Sequence, residues 1–301
     1  MIRTLKQMEE LVLTHKKKYR IAVAWAQDIN SIGALNKAVK MGFIEAILIG
    51  NASEIRKTFD ILSIDENNFT VVESENEIIA ASEAVRMVKR GEADVVMKGL
   101  VGTDKFLKAV MDKEKGLMIP GAVLSYVCAL ELPEYDKLLF ITDPAVIPFP
   151  DLGQKVAMTG YAIKMANKFG IEKPKIALIG ASEKPSPHFK YTADYQEMCK
   201  MAENGKLGNC TMDGPLDLFL ACDKKSVAIK GINTPVNGEA DILLFPSLES
   251  SNPFYKGLML FAKGELAGLI MGTVKPVVVM SRSESETSKY YCIVLSCLMA
   301  N

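Results

Sequence analysis

Ser281-Arg282-Ser283-Glu284-Ser285 is the stretch whose residue types and spacing could do the most chemistry. It joins an apolar run, Pro276 to Met280, to a helical pattern that extends to about Met299. A loop between a strand end and a helix start exposes backbone N–H groups and the positive end of a helix dipole, and both favour an anion. Arg282 adds a planar guanidinium that can grip two phosphate oxygens, and Ser281, Ser283 and Ser285 add hydroxyl donors. Capping accounts for the serines equally well, with Ser283 as N-cap and Glu286 three residues on, so both readings stand. Glu284 and Glu286 weigh against a highly charged anion. Tyr290, Ile293, Val294, Cys297 and Leu298 follow helical spacing, so the last helix would anchor the loop.

Three other segments have the same placement, after an apolar run and before a helical pattern. In Lys98-Gly99-Leu100-Val101-Gly102-Thr103, two glycines would let backbone approach a ligand, and Lys98 and Thr103 could contact a carbonyl or a phosphate. An ordinary turn capped by Thr103 or Asp104 fits too. In Ser250-Ser251-Asn252-Pro253, Ser251 or Asn252 suits an N-cap and Pro253 suits the first helical position. Lys256 then falls in the first turn, where the dipole disfavours a cation unless an anion is near. In Gly180 to His188, the imidazole of His188 is a candidate base, although a loop histidine is more often a surface residue.

The elements that position these loops alternate. Apolar runs at 20–25, 44–50, 69–72, 93–97, 175–180, 240–246 and 276–280 predict strands, and helical spacing at 28–40, 75–90, 155–169, 194–205 and 252–263 predicts helices between them. Such alternation predicts parallel strands with ligands at their carboxyl ends. Pro144, Pro148 and Pro150 break regular structure and suggest a crossing between two domains.

The chain has 301 residues, enough for two domains, and carries 36 basic and 36 acidic side chains. That balance argues against a nucleic-acid partner. The six cysteines form no CxxC pair and the two histidines lie apart from them, so no metal site is expected, and reduced thiols point to the cytoplasm. No signal peptide and no membrane span are expected. The GxGxxG, GxxxxGK[ST] and GxSxG patterns are missing. A homodimer is the commonest assembly, so a homodimer or higher homo-oligomer is expected.

Several segments together resemble the phosphate acetyltransferase and phosphate butyryltransferase family, most closely its butyryl branch. They are Lys98 to Val110, Tyr135 to Leu139, Asp213 to Leu216, Gly238 to Leu243, Glu249 to Asn252 and Ser281 to Ser285. The resemblance implies two α/β/α domains with mainly parallel sheets and an interdomain cleft, an architecture like that of isocitrate and isopropylmalate dehydrogenases. Residues 1–141 with 282–301 would form the first domain, completed by the last helix, and 142–281 the second. It implies reversible transfer of a short acyl group, butyryl foremost, between CoA and inorganic phosphate, by direct attack of the thiol on the acyl phosphate. The substrates would be acyl-CoA and phosphate, with no permanently bound cofactor.

By the same resemblance Ser281 would bond the reacting acyl group and Arg282 the phosphate. Lys98, Gly99, Thr103, Asn252, Lys256, Ser283 and Ser285 would line the substrates. Where the acetyltransferases carry an aspartate proposed as base, seven residues after the loop serine, this chain has Ser288, and Glu286 is the nearby acid that could replace it. The chain also departs from the family pattern at Asp217-Leu218-Phe219-Leu220, at Pro144 and at Glu183 to Tyr191; Ser288 and Phe219-Leu220 motivate a second reading, a non-catalytic paralogue that binds CoA or acyl phosphate. A decarboxylating dehydrogenase would need metal carboxylates and a nucleotide site that the sequence does not display.

Overall fold

The computed structural model describes residues 1–281 and 284–300. In chain order the elements are α1 (Leu5–Thr14), β1 (Tyr19–Ala24), α2 (Ile29–Lys40), β2 (Ile44–Gly50), α3 (Ala52–Leu62), β3 (Phe69–Glu73), α4 (Glu77–Lys89), β4 (Val95–Lys98), α5 (Thr103–Val110), β5 (Ser125–Glu131) and β6 (Leu139–Thr142). Then follow α6 (Leu152–Lys168), β7 (Lys175–Ile179), α7 (Tyr191–Glu203), β8 (Thr211–Leu216), α8 (Leu218–Cys222), α9 (Lys224–Lys230), β9 (Ile242–Leu244), α10 (Leu248–Phe261), β10 (Glu265–Met271), β11 (Val277–Val278) and α11 (Glu286–Met299). The chain is thus α/β, with mainly parallel sheet.

The chain divides into two compact units. One joins Leu5–Ala122 to the segment from Leu266 to the chain end. Its strands run in the order β3-β2-β1-β4-β11-β10. All of these neighbours pair in parallel except β10 with β11. β1 and β4 are buried along nearly their whole length, as strands covered by helices on both faces must be. α11 packs on α1 and α2, and its residues from Ser288 to Leu298 are almost all buried, which the helical spacing in the sequence anticipated.

The other unit joins Met1–Thr4 to Val123–Glu265. Its strands run β5-β6-β9-β7-β8, parallel except for β5 against β6. These limits differ from the expected divisions after residues 141 and 281. The cause is local pairing: β6 lies parallel to β9 from Phe140–Ile242 to Thr142–Leu244, and β5 pairs with β6, so both strands join the unit of β9. β11 lies parallel to β4, and β10 pairs with β11 through Ile270 and Val277, so both belong with β4.

The α10 expectation also shifts. The helix starts at Leu248, not at Asn252, with Ser247 as N-cap and Pro253 inside. Ser251 and Asn252 therefore face a neighbour instead of capping. Ser251 Oγ donates to the Asp143 carbonyl at 2.6 Å and Asn252 Nδ2 to the Pro144 carbonyl at 2.8 Å. The proline-rich crossing is fixed from its other side by Asp143, whose carboxylate accepts from Tyr126 N at 3.2 Å, Ala145 N at 2.8 Å and Val146 N at 2.9 Å. Burial pushes this carboxyl above its ordinary range against the pull of those bonds.

Ser251→Ala should cost about 1–3 kcal/mol, because it strands the buried Asp143 carbonyl, and a urea midpoint compared with wild type would measure it.

Candidate active site

The Lys98 segment lies where β4 ends beside β1, with Lys98 opposite Ala24. Lys98 is buried, and its Nζ donates to the carbonyls of Gly99 at 2.9 Å and Val101 at 3.1 Å. The ammonium therefore stitches its own loop. Gly99 N donates to the Ala24 carbonyl at 2.9 Å and Leu100 N to the Trp25 carbonyl at 2.9 Å. A Cβ on Gly99 would come within 2.4 Å of the Trp25 oxygen, so the glycine serves backbone-to-backbone approach, not the ligand approach expected from sequence. Thr103 is the exposed first residue of α5 and does not cap it; Gly102 is the N-cap, and its N–H donates to Glu77 Oε2 at 3.0 Å.

β11 runs parallel to β4, with Val278 opposite Met97, so the chain leaves β11 beside the end of β4. Ser281 follows, half-buried; its N–H donates to Glu284 Oε2 at 3.1 Å, and Glu284 N donates back to the Ser281 carbonyl at 3.3 Å. Arg282 and Ser283, both assigned roles from sequence, lie outside the described residues. The N-cap of α11 is Ser285, two residues beyond the one expected, and its Oγ accepts from Ser288 N at 2.9 Å; with Ser288 at the third helical position the expected pairing with Glu286 does not arise. Ser285, expected to contact substrate, thus holds the helix start. Glu286 is exposed, and its carboxylate lies against α2, where a Cβ on Gly33 would meet Oε2 at 2.9 Å.

Ser288 is fully buried and its Oγ accepts from Leu266 N at 3.1 Å, tying α11 to the start of β10. Ser288, where the resemblance leads one to expect an aspartate, is therefore a structural tie.

Within one unit, then, the fold brings Lys98, Gly99, Ser281, Ser285 and Glu286 to one end of the parallel strands. Asn252 and Lys256 belong to the other unit. Lys256 is exposed and stands nine residues into α10, so the first-turn argument for a nearby anion no longer applies. His188 is exposed, in the loop before α7.

Sequence reasoning missed the pair that binds the first turns of α11 to the turn before α2. Lys289 Nζ donates to Asp28 Oδ2 at 2.7 Å, with side-chain exposures of 3% and 13%. Asp28 also caps α2, accepting from Ser31 N at 3.0 Å and from the Ser31 hydroxyl. Burial alone would raise the Asp28 carboxyl, but the Lys289 and Ser31 bonds outweigh it and hold it below its ordinary range. A sequence signal existed: Lys289 lies next to the first turn of a helix, where a cation wants an acid beside it.

Thiol chemistry has little support. Burial pushes Cys199 up to about 12 and Cys222 up to about 11. Among the described residues, no group of three or more His, Cys, Asp or Glu side chains is placed to hold a metal ion, and no helix is long and apolar enough to cross a membrane.

Serine-bearing and lysine-bearing loops thus stand at adjacent strand ends of an α/β fold. Residues 75–297 match the family model described as phosphate acetyl/butaryl transferase, and the chain belongs to that family. It is 38% identical to the phosphate butyryltransferase of Clostridium acetobutylicum over 98% of this chain and 99% of that protein. It is 35% identical to the phosphate acetyltransferase of Thermotoga maritima over 97% and 99% of the two chains. A branched-chain phosphotransacylase from Enterococcus faecalis V583 superposes with a TM-score of 0.84 at 29% identity, covering 94% of this chain and 99% of that one. The protein is an acyltransferase.

Two outcomes are expected. Ser288→Ala should lower stability by about 1–3 kcal/mol, since Leu266 N loses its partner, while leaving kcat within about twofold of wild type. Steady-state kinetics beside a melting curve would separate the two, and a large fall in kcat would assign Ser288 to the chemistry. Asp28 has a depressed carboxyl, so its contribution is present above the unfolded value and lost as pH falls through the folded one. The stability gap between wild type and Asp28→Asn should hold above pH ~5 and close below pH ~4, as urea midpoints across pH would record.

Proposed function

We propose that the protein moves a short acyl group, butyryl foremost, reversibly between CoA and inorganic phosphate. The observation that carries this reading is the placement of Ser281 at the end of β11 beside the Lys98 loop at the end of β4, in a chain of this family. In the direction of CoA acylation, the thiolate sulfur bonds to the carbonyl carbon of the acyl phosphate. The carbonyl electrons move to oxygen, then return as the bond to the phosphate oxygen breaks and phosphate departs.

Ser281 donates to the carbonyl oxygen as it gains charge, and Arg282 grips the phosphate. A fixed donor of this type is worth about 3–4 kcal/mol. A thiol of pKa about 8.5 is mostly protonated at neutral pH, so a group must take its proton. Glu286, exposed at the start of α11, is assigned that task. Lys98, Gly99, Thr103, Asn252, Lys256, Ser283 and Ser285 are assigned to substrate binding. For Lys98, Gly99 and Ser285 this means shaping the loops that meet substrate, because their own bonds run to protein. The raised thiols of Cys199 and Cys222 favour direct transfer over a cysteine-bound acyl intermediate.

The same reading adopts the dehydrogenase-like two-domain architecture, with a discontinuous first domain closed by the last helix, and a cytoplasmic homo-oligomer with no resident cofactor. A second reading, a paralogue that binds CoA without turnover, is favoured by one observation: Ser288 occupies the place of the acid and is committed to Leu266.

Free thiol released from phosphate and acyl-CoA substrates of two to six carbons is the decisive assay. Release should peak at four carbons, whereas CoA binding by calorimetry with no release at any length would favour the paralogue. Ser281→Ala should lower kcat by about 10²–10³ and change KM less, and Arg282→Ala should chiefly weaken phosphate. Unchanged kinetics in either variant would remove that residue from the site.

A further inference from the structure

The turn after β1, Trp25 to Asp28, carries no assigned role, yet both substrate loops of its unit are fastened to it or to its flanks. On one side the Gly99 and Leu100 amides donate to the Ala24 and Trp25 carbonyls. On the other, Asp28 holds Lys289 of α11, four residues after the Ser285 cap. The fit is close at both contacts: Gly99 has no room for a Cβ, and Gly33 in α2 leaves space that the Glu286 carboxylate fills.

We propose that Asp28 and Lys289 are positioning residues for acyl transfer, and that their ion pair sets Ser281 and Glu286 in register with the Lys98 loop. The inference rests on the acyl-transfer reading for its kinetic consequence, although the tether itself does not. Three observations support it. The pair is nearly buried, so its 2.7 Å contact is little screened by water or salt. Lys289 sits near the helix N-terminus, where its charge is unfavourable without Asp28. Lys289 is linked toward Ser281 by the Ser285 cap and by the reciprocal Ser281–Glu284 bonds. Removing the pair frees the start of α11 to shift while the helix body stays packed on α1 and α2.

The test separates register from stability. Asp28→Asn keeps a good N-cap for α2 but removes the charge. Adding Lys289→Met replaces the buried pair by neutral groups, a change that is often tolerated without loss of stability. For the double variant we expect a melting temperature near wild type and a kcat lower by about 10- to 100-fold, because small misplacements of reacting groups cost rates of that order. KM for acyl-CoA should move by less than about threefold. Hydrogen exchange of a peptide covering residues 279–286 should quicken, while the peptide covering β2 stays unchanged.

A double variant that turns over within about twofold of wild type, or with unchanged exchange at 279–286, overturns the proposal. If the double variant folds poorly, Asp28→Asn alone is read by the same two measurements. Wild-type protein that shows no acyl transfer would defeat the functional reading alone, since the exchange comparison still decides the tether.

Discussion

The donation of the Gly99 and Leu100 amides to the carbonyls of Ala24 and Trp25 forces two strand ends into contact closer than any side chain would permit. That contact carries the end of β4 and its loop past the end of β1. β11 lies on the other side of β4, so the chain emerging at Ser281 has little choice of direction. The helix that follows must lie back over α2, and the Asp28–Lys289 pair sets where along α2 it begins. On the proposed reading, chemistry at this end of the sheet depends on backbone geometry first and on side chains second. A loop shaped this way presents fixed dipoles, and fixed dipoles lower a barrier because they need not reorganise as charge develops.

Much of the fold was legible because burial on both faces writes continuous apolar runs. β2 was read to its last residue, since Ile44 to Gly50 is such a run between Gly42 and Asn51. β5, β6, β8 and β10 were missed, and for β5 and β10 the reason is plain. Ser125 to Glu131 and Glu265 to Met271 are equally apolar, but each forms an antiparallel pair, and a reading built on strand–helix alternation had no place for them. The start of α10 was misplaced because Pro253 suits a first turn so well. In the folded chain it sits at the sixth position of the helix, with Ser251 and Asn252 turned to the 143–144 carbonyls.

The site was legible as a set of strand-end loops, whereas the duties of individual side chains were not. Lys98, Ser285 and Asn252 each carry groups suited to a ligand, and each spends them on protein atoms. Sequence displays donors and acceptors but not which of them are already satisfied. Asp28 and Lys289 show the converse: 261 residues apart, they meet only because α11 returns to α2. Ser288, where the resemblance leads one to expect an acid, instead uses its hydroxyl to close the β10–α11 junction.

Phosphorus resonance of a mixture of butyryl-CoA, inorganic phosphate and the protein tests the central claim most directly. The account predicts an acyl phosphate signal that grows in one-to-one proportion with free thiol and reverses when acyl phosphate and CoA are supplied instead. Thiol released with no acyl phosphate formed would mean that water, not phosphate, takes the acyl group, and would contradict it.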